Sequence, residues 1–231
     1  MHPLKNKYKI YLYLFFFISL TSILNFKILE NLKDRLTIKK IEIYGLSNNE
    51  KKMVKNEIDY FKKSNIFNLK KDVVLKTLEQ FNFLEKIYIS KILPSTINVK
   101  LSKTQIIGQT LINGEMFYIG KNEKFINSNL FKETNNIPLV FGEFEIEKYK
   151  FLQNILADHQ VDLKKIEKYY FYKNRRWDIS FSSGLTLMLP HKNVEKSIKI
   201  YKDLSDEDKL LNTKIVDLRV SNQIILTDFN E

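Results

Sequence analysis

The chain begins with an uncharged, largely apolar run over residues 10–26, preceded within nine residues by three lysines. A run of this length lies at the short end of what a membrane-spanning helix needs. It lacks the small-residue cleavage site of a signal peptide, and it lacks the polar face of a buried core helix. The lysine bias places the N-terminus in the cytoplasm. We therefore predict a cytoplasmic tail (1–9), a signal anchor (10–28), a stem (29–37) and an extracytoplasmic body.

The pattern after the stem is typical of a small α+β module over residues 38–104. Ser47 and Glu50 have the spacing of a capping box at a helix start, and Asp72 is placed to cap a second helix. Alternation and helical spacing of apolar residues predict the order β-α-α-β-β. We expect a three-stranded sheet with both helices on one face. The predicted elements are a strand over 38–44, helices ending near 63 and spanning 74–81, and strands over 86–93 and 97–102.

Residues 105–229 follow a different pattern, with many short strands and two amphipathic helices. Asn113-Gly114 is a strong hairpin signal, since both residues tolerate positive φ. Apolar residues alternate along two arms joined at Gly184, with Trp177 on the first arm. We predict a mainly antiparallel β domain with two helices. The predicted helices cover 145–158 and 194–204, and the last strand pair covers 214–220 and 223–227.

Composition excludes several classes of function. The chain has no cysteine, which rules out disulfides, thiolate metal sites and cysteine nucleophiles. Its 38 Lys and Arg against 27 Asp and Glu give a net charge of +11, but the lysines are scattered among acids, so we expect no nucleic-acid partner. No nucleotide-binding, serine-hydrolase or zinc-protease motif occurs. We therefore expect no enzyme activity, no cofactor, no metal and no small-molecule substrate.

Arginines supply the candidate binding residues. Arg175 and Arg176 precede Trp177 and are either solvent-facing residues that lead into a core strand or a fork that binds acidic groups of a partner. Arg219 shares a strand face with Asp217, so it either pairs with that carboxylate or reaches outward.

The last predicted strand supplies a second candidate feature. A strand this close to the C-terminus often lies at a sheet edge, where a partner can add a strand to unpaired N–H and C=O groups. The sequence leaves open whether this strand is an edge, an inner strand or an edge covered by another segment. The candidate residues are Val220, Ser221, Asn222, Gln223, Ile224 and Ile225.

The whole arrangement resembles the bacterial FtsQ/DivIB cell-division family. The resemblance lies in the stretches IKKIEIYGLS (38–47), KIYISKILPSTINVKLS (86–102), RRWDISFSSGLTLMLP (175–190) and VDLRVSNQIIL (216–226). It implies a POTRA domain over 38–104 and an FtsQ-type β domain over 105–229.

The resemblance also implies a function. The protein would be a non-enzymatic scaffold of the divisome that links early and late division proteins. It would lie in the inner membrane at the division septum, with its body in the periplasm. Its partner would be the FtsB–FtsL pair. By position, Arg176 (or Arg175) and Arg219 would meet acidic residues of FtsB, and residues 220–225 would supply the main-chain edge.

Two other classes of function stay open. One is a single-pass envelope protein whose POTRA-like module handles polypeptides in export or secretion. The other is a basic module that binds lipid or cell wall, suggested by the net charge of +8 carried by residues 27–231.

Overall fold

The computed structural model describes residues 4–23, 33–130, 136–220 and 223–229. The chain divides into two compact units, Met1–Lys103 and Thr104–Glu231. Each unit is described by itself below.

The first helix, α1 (Leu4–Ile23), contains residues 10–23 of the predicted anchor. No helix in the described ranges combines the length and mean hydropathy expected of a membrane span. Residues 24–28 of the predicted anchor and 29–32 of the predicted stem lie outside the described residues.

The rest of the first unit has the predicted order β-α-α-β-β. Strand β3 lies between β1, to which it is parallel, and β2, to which it is antiparallel. Parallel pairing of β1 with β3 requires a crossover connection, which the two helices provide. The elements are β1 (Lys40–Tyr44), α2 (Asn48–Ile58) followed by a 3₁₀ turn (Asp59–Lys63), α3 (Lys71–Glu79), β2 (Leu84–Ile92) and β3 (Thr96–Lys103).

Both helices cover one face of this sheet. Alternate strand residues are buried beneath them, together with apolar helix residues at the spacing that the sequence predicted. The main buried side chains are Ile41, Ile43, Val54, Ile58, Phe61, Val74, Leu78, Ile97, Val99 and Leu101.

One predicted helix start in this unit is wrong. Lys70, with extended backbone, is the N-cap of α3, and Asp72 lies within the first turn. An acidic residue there still favours the helix, because its charge interacts with the positive end of the helix dipole.

The described residues of the second unit form nine strands and two α-helices. They are β4 (Ile106–Ile112), β5 (Glu115–Gly120), β6 (Phe125–Asn127), β7 (Leu139–Phe141), α4 (Ile146–Asp158), β8 (Ile166–Phe171), β9 (Trp177–Phe181), β10 (Thr186–Met188), α5 (Val194–Asp206), β11 (Thr213–Asp217) and β12 (Ile225–Asp228). Asn113 and Gly114 have φ of 52° and 85°, as the predicted hairpin between β4 and β5 requires.

The nine strands form one mixed sheet in the order β12-β11-β10-β9-β8-β7-β4-β5-β6. Five of its eight neighbouring pairs are antiparallel, as predicted, and three are parallel: β4 with β7, β7 with β8, and β10 with β11. Helix α4 connects β7 to β8 and helix α5 connects β10 to β11, so each helix is a crossover between parallel neighbours. The prediction of a mainly antiparallel sheet is therefore correct, but it did not include the three parallel pairs.

The core of the second unit joins the two helices to the sheet. Trp177 is central to it, with ring centroids 4.7 Å from Phe171 and 5.9 Å from Tyr149. The alternating residues of β9 and β10, including Ile179 and Leu187, are buried as the sequence predicted.

Candidate partner interface

Strand β12 is one edge of the nine-stranded sheet. In the part of the chain that the structure describes, it pairs with β11 alone, and the opposite edge, β6, has only three residues. Short edge strands offer little to an incoming strand. The edge at β12 is therefore the better template for strand addition.

The direction of the β12 backbone groups follows from one hydrogen bond. The Phe229 N–H donates to the Asn212 carbonyl, 3.1 Å away. In an antiparallel pair, successive residues direct these groups alternately toward and away from the partner strand. The N–H groups of Ile225 and Thr227 therefore face β11, whereas those of Leu226 and Asp228 face away from it.

Apolar side chains surround this edge. Five of them are between 42% and 51% exposed, and Asp228 is the one charged residue of the strand. Successive strand residues point to opposite faces, so these side chains flank the edge on both sides, and we call them the apolar strip. Exposed apolar residues grouped at a sheet edge mark a candidate interaction site. The members of the apolar strip are Val220, Ile224, Ile225, Leu226 and Phe229.

The predicted strand over 214–220 ends too late, and the predicted strand over 223–227 begins too early. Strand β11 ends at Asp217 and β12 begins at Ile225, so Val220, Gln223 and Ile224 precede the edge strand. The Gln223 N–H donates to the Val220 carbonyl (3.2 Å), a turn bond that keeps this segment out of the ladder. The candidate residues Ser221 and Asn222 lie outside the described residues.

A groove of about 270 Å³ lies beside this turn. Its apolar lining includes Leu218, Val220 and Ile224, and its lining also includes Lys192 and Lys196 near the start of α5. Neither lysine was among the candidates from sequence, since nothing in the local pattern links them to the C-terminal strands.

Arg219 is held by a carboxylate of its own chain. Its Nε and Nη2 atoms lie 2.8 and 2.5 Å from the two carboxylate oxygens of Asp217, and its backbone N–H also donates to Asp217 Oδ1. The hydrogen bond from the Arg219 guanidinium holds the pKa of Asp217 below its ordinary range. Two of the guanidinium donors are thus already engaged, and the side chain is 38% exposed.

Arg176 lies against a second, more deeply buried acid. Its Nε is 3.8 Å from Asp178 Oδ1, and its guanidinium carbon is 4.5 Å from the centre of the Tyr172 ring. Asp178 is 3% exposed. Burial raises the pKa of Asp178, although Arg176, the Tyr172 hydroxyl and Arg219 each act to lower it.

Asp178 and Asp217 belong to the same cross-strand row. Both oppose Met188 of β10, so all three side chains point to the sheet face away from the helices. The alternation around Trp177 already places Asp178 on that face, but burial of the carboxylate depends on contacts that the sequence does not reveal. The two arginines thus border a pair of acids at one end of β9–β11.

Arg175 occupies a separate position in the turn between β8 and β9. Its backbone is left-handed, with φ of 62°, and its side chain is exposed. His191 Nδ1 lies 3.1 Å from the Arg175 carbonyl oxygen. The Arg175 side chain therefore extends toward solvent from the turn before the Arg176–Asp178 pair.

Two family models match adjacent parts of the chain. Residues 36–104 match the FtsQ-type POTRA domain, and residues 105–219 match the C-terminal domain of the cell division protein FtsQ/DivIB. Curated relatives carry the name cell division protein FtsQ. The relative from Rickettsia bellii is 27% identical over 83% of this chain and 72% of its own length. That from Rhizobium radiobacter is 26% identical over 66% of this chain and 73% of its own.

A solved structure is also similar to part of the chain. The major extracytoplasmic domain of DivIB from Geobacillus stearothermophilus covers 47% of this chain and 97% of its own, at 13% identity and a TM-score of 0.33.

Proposed function

The chain belongs to the FtsQ/DivIB family of bacterial cell-division proteins, and we propose that it acts in the divisome as a non-enzymatic scaffold that binds the FtsB–FtsL pair by strand addition at β12. The observation that carries this proposal is the exposed edge of β12, with outward N–H groups at Leu226 and Asp228. Backbone pairing would give affinity, and the apolar strip would pack against side chains of the added strand.

The arginines would add selectivity for an acidic partner. Arg175 is exposed, and Arg219 keeps guanidinium donors beyond the two that Asp217 engages. Charged groups at the rim of an interface steer and orient a partner more than they add affinity. We assign Arg176 a positioning role, because it packs on Tyr172 and beside the buried Asp178.

We further propose that residues 10–28 anchor the protein in the inner membrane at the septum, with the body in the periplasm. The uncharged run and the three lysines before it support this topology.

The direct test is binding of the full-length chain, in detergent, to the FtsB–FtsL pair of the same organism. Leu226→Pro removes an N–H that faces away from β11, so we expect at least a tenfold loss of affinity with little change in the free energy of unfolding. Thr227→Pro is the matched control. It removes an N–H that faces β11, so it should lower the stability of the sheet.

Two outcomes would contradict the edge proposal: wild-type affinity in Leu226→Pro, or a loss of stability in Leu226→Pro as large as that in Thr227→Pro. A folded wild-type chain that does not bind FtsB–FtsL would instead favour the role in polypeptide export.

A further inference from the structure

The part of the first unit from residue 36 onward differs sharply in charge from the second unit. Residues 36–103 carry fourteen lysines against seven acids, whereas residues 104–231 carry eighteen basic and eighteen acidic residues. A codon bias toward lysine acts on both units alike, so it does not explain the difference. The excess of positive charge therefore lies in the first unit, and its explanation must be specific to that unit.

One loop of that unit concentrates lysines around an exposed aromatic ring. We call residues 62–71, KKSNIFNLKK, the entry loop. It has a lysine pair at each end and Phe67 near its middle, and the Phe67 side chain is 60% exposed. Ile66 and Leu69 on either side are buried, so the loop is well packed while Phe67 points outward.

Specific hydrogen bonds hold Phe67 in this position. The Phe67 N–H donates to the Asn65 side-chain oxygen (2.9 Å), and the Leu69 N–H donates to the Asn65 carbonyl (3.1 Å). Lys91 Nζ lies 3.4 Å from the Phe67 carbonyl oxygen and brings a further positive charge. The turn therefore presents an aromatic side chain that is flanked along the chain by lysine pairs, with Lys91 next to its backbone.

The entry loop lies where the chain enters the unit. The Ile66 N–H donates to the Leu36 carbonyl (2.8 Å), the Ile38 N–H donates to the Ser64 carbonyl (3.0 Å), and Thr37 forms a bridge with Asn65. Only eight residue steps separate Leu36 from residue 28, the end of the proposed anchor. An extended chain covers at most about 30 Å in that distance.

We propose that the entry loop docks on an anionic phospholipid surface, with Phe67 entering the headgroup region and the lysines contacting lipid phosphates. The proposal rests on the membrane anchor under the proposed function. Lys62 pairs with Asp59, so the loop cations that carry the proposal are Lys63, Lys70 and Lys71, against one nearby acid, Asp72, in the first turn of α3. Interfacial binding needs this combination of an apolar group and cationic neighbours.

Lipid fits these features better than an acidic polypeptide does. The loop offers neither a free strand edge nor an apolar groove in which a peptide could lie. It offers one exposed ring and several flexible cations, which suit a fluid surface of anionic headgroups. The short tether also keeps that surface within reach at all times.

The absence of cysteine makes a clean test possible. The full-length chain, carrying Asn68→Cys with an environment-sensitive dye, is reconstituted into vesicles of pure phosphatidylcholine or of phosphatidylcholine with phosphatidylglycerol. Lipids with brominated acyl chains serve as quenchers. We expect quenching at residue 68 in anionic vesicles, less in neutral vesicles, and loss of the difference in high salt. A dye at Asn49→Cys, exposed at the start of α2 and therefore at the far end of that helix from the entry loop, is the control that should not respond.

Matched variants in the Asn68→Cys background separate docking from general electrostatics. Phe67→Ser should abolish the quenching, and Lys70→Gln with Lys71→Gln should lower the docking equilibrium constant by about fivefold per lysine. Lys51→Gln with Lys52→Gln removes the same charge at the start of α2 and should have a much smaller effect.

Flotation of the chain with the vesicles tests the membrane anchor separately from docking by the entry loop. A chain that fails to float with vesicles shows that the anchor is absent. A chain that floats but shows no quenching in anionic vesicles, or equal loss in both lysine pairs, overturns docking by the entry loop. Quenching that appears only after FtsB–FtsL is added overturns it as well.

Discussion

Glu50 shows how one buried carboxylate ties a helix start to a strand. Its Oε2 accepts hydrogen bonds from the Ser47 N–H (2.9 Å) and hydroxyl (2.7 Å), and its Oε1 lies 3.0 Å from Lys103 Nζ. Burial by itself would raise the pKa of Glu50 and is the largest single influence. The hydrogen bonds from Ser47 and Lys103 together outweigh it and lower the pKa.

We expect Glu50→Gln to lower the stability of the first unit by about 1–2 kcal/mol at neutral pH, since it weakens the cap and removes the ion pair. Because the native pKa is lowered, the stabilisation is complete above the ordinary glutamate pKa. It is lost as pH falls through the native value. Urea melts of both proteins between about pH 7 and pH 3 should therefore converge in acid. A difference that is independent of pH would contradict this account.

Arg219 can serve the fold, the partner or both, and two substitutions separate these roles. Arg219→Gln removes the cation, whereas Asp217→Asn leaves Arg219 charged but releases it from its bidentate pair. Each should cost about 1 kcal/mol of stability, as the pair is partly exposed.

Their effects on FtsB–FtsL binding should differ. Arg219→Gln should weaken it, while Asp217→Asn should leave it unchanged or tighten it because more guanidinium donors are free. Titration calorimetry with both variants is the measurement. Equal losses of affinity in the two would show that the pair only supports the fold.

At the scale of elements, local signals made much of the fold predictable. The capping box at Ser47 and the hairpin at Asn113-Gly114 depend on residues close in sequence, and both elements occur as predicted. The burial pattern around Trp177 likewise follows from alternation within one strand. Each of these signals depends on the residues of one short segment, so it is visible in the sequence without knowledge of contacts between distant parts of the chain.

Sheet order depended on contacts that a short segment does not encode. Strands β6 and β7 have three residues each, too few to show a period, and β7 lies parallel to both neighbours. The sequence indicated that β12 is a candidate edge strand but could not decide it, because the same residues fit an inner strand or an edge covered by another segment. Burial of Asp178 depends on Tyr172, Arg176 and its strand neighbours, which come together only in the folded sheet.

At the scale of the whole molecule, the charge partition separates two kinds of contact. The neutral second unit carries the apolar edge β12, and the basic first unit carries the entry loop. An uncharged edge suits backbone pairing with one partner, whereas a cationic loop suits a surface that offers many equivalent anions. Salt should therefore weaken lipid docking far more than it weakens binding of FtsB–FtsL.

The role in division and the anchor can be tested together in cells. Depletion of the chain should block septation and give filaments, which the wild-type gene rescues. Phe15→Lys with Phe17→Lys places two charges in the proposed anchor, at about 2.5–3.5 kcal/mol each for membrane insertion. This variant should leave the membrane fraction and fail to rescue. Leu226→Pro keeps the anchor, so it should stay in the membrane fraction and still fail. Normal septation after depletion would contradict the scaffold role, and rescue by the lysine variant would contradict the anchor.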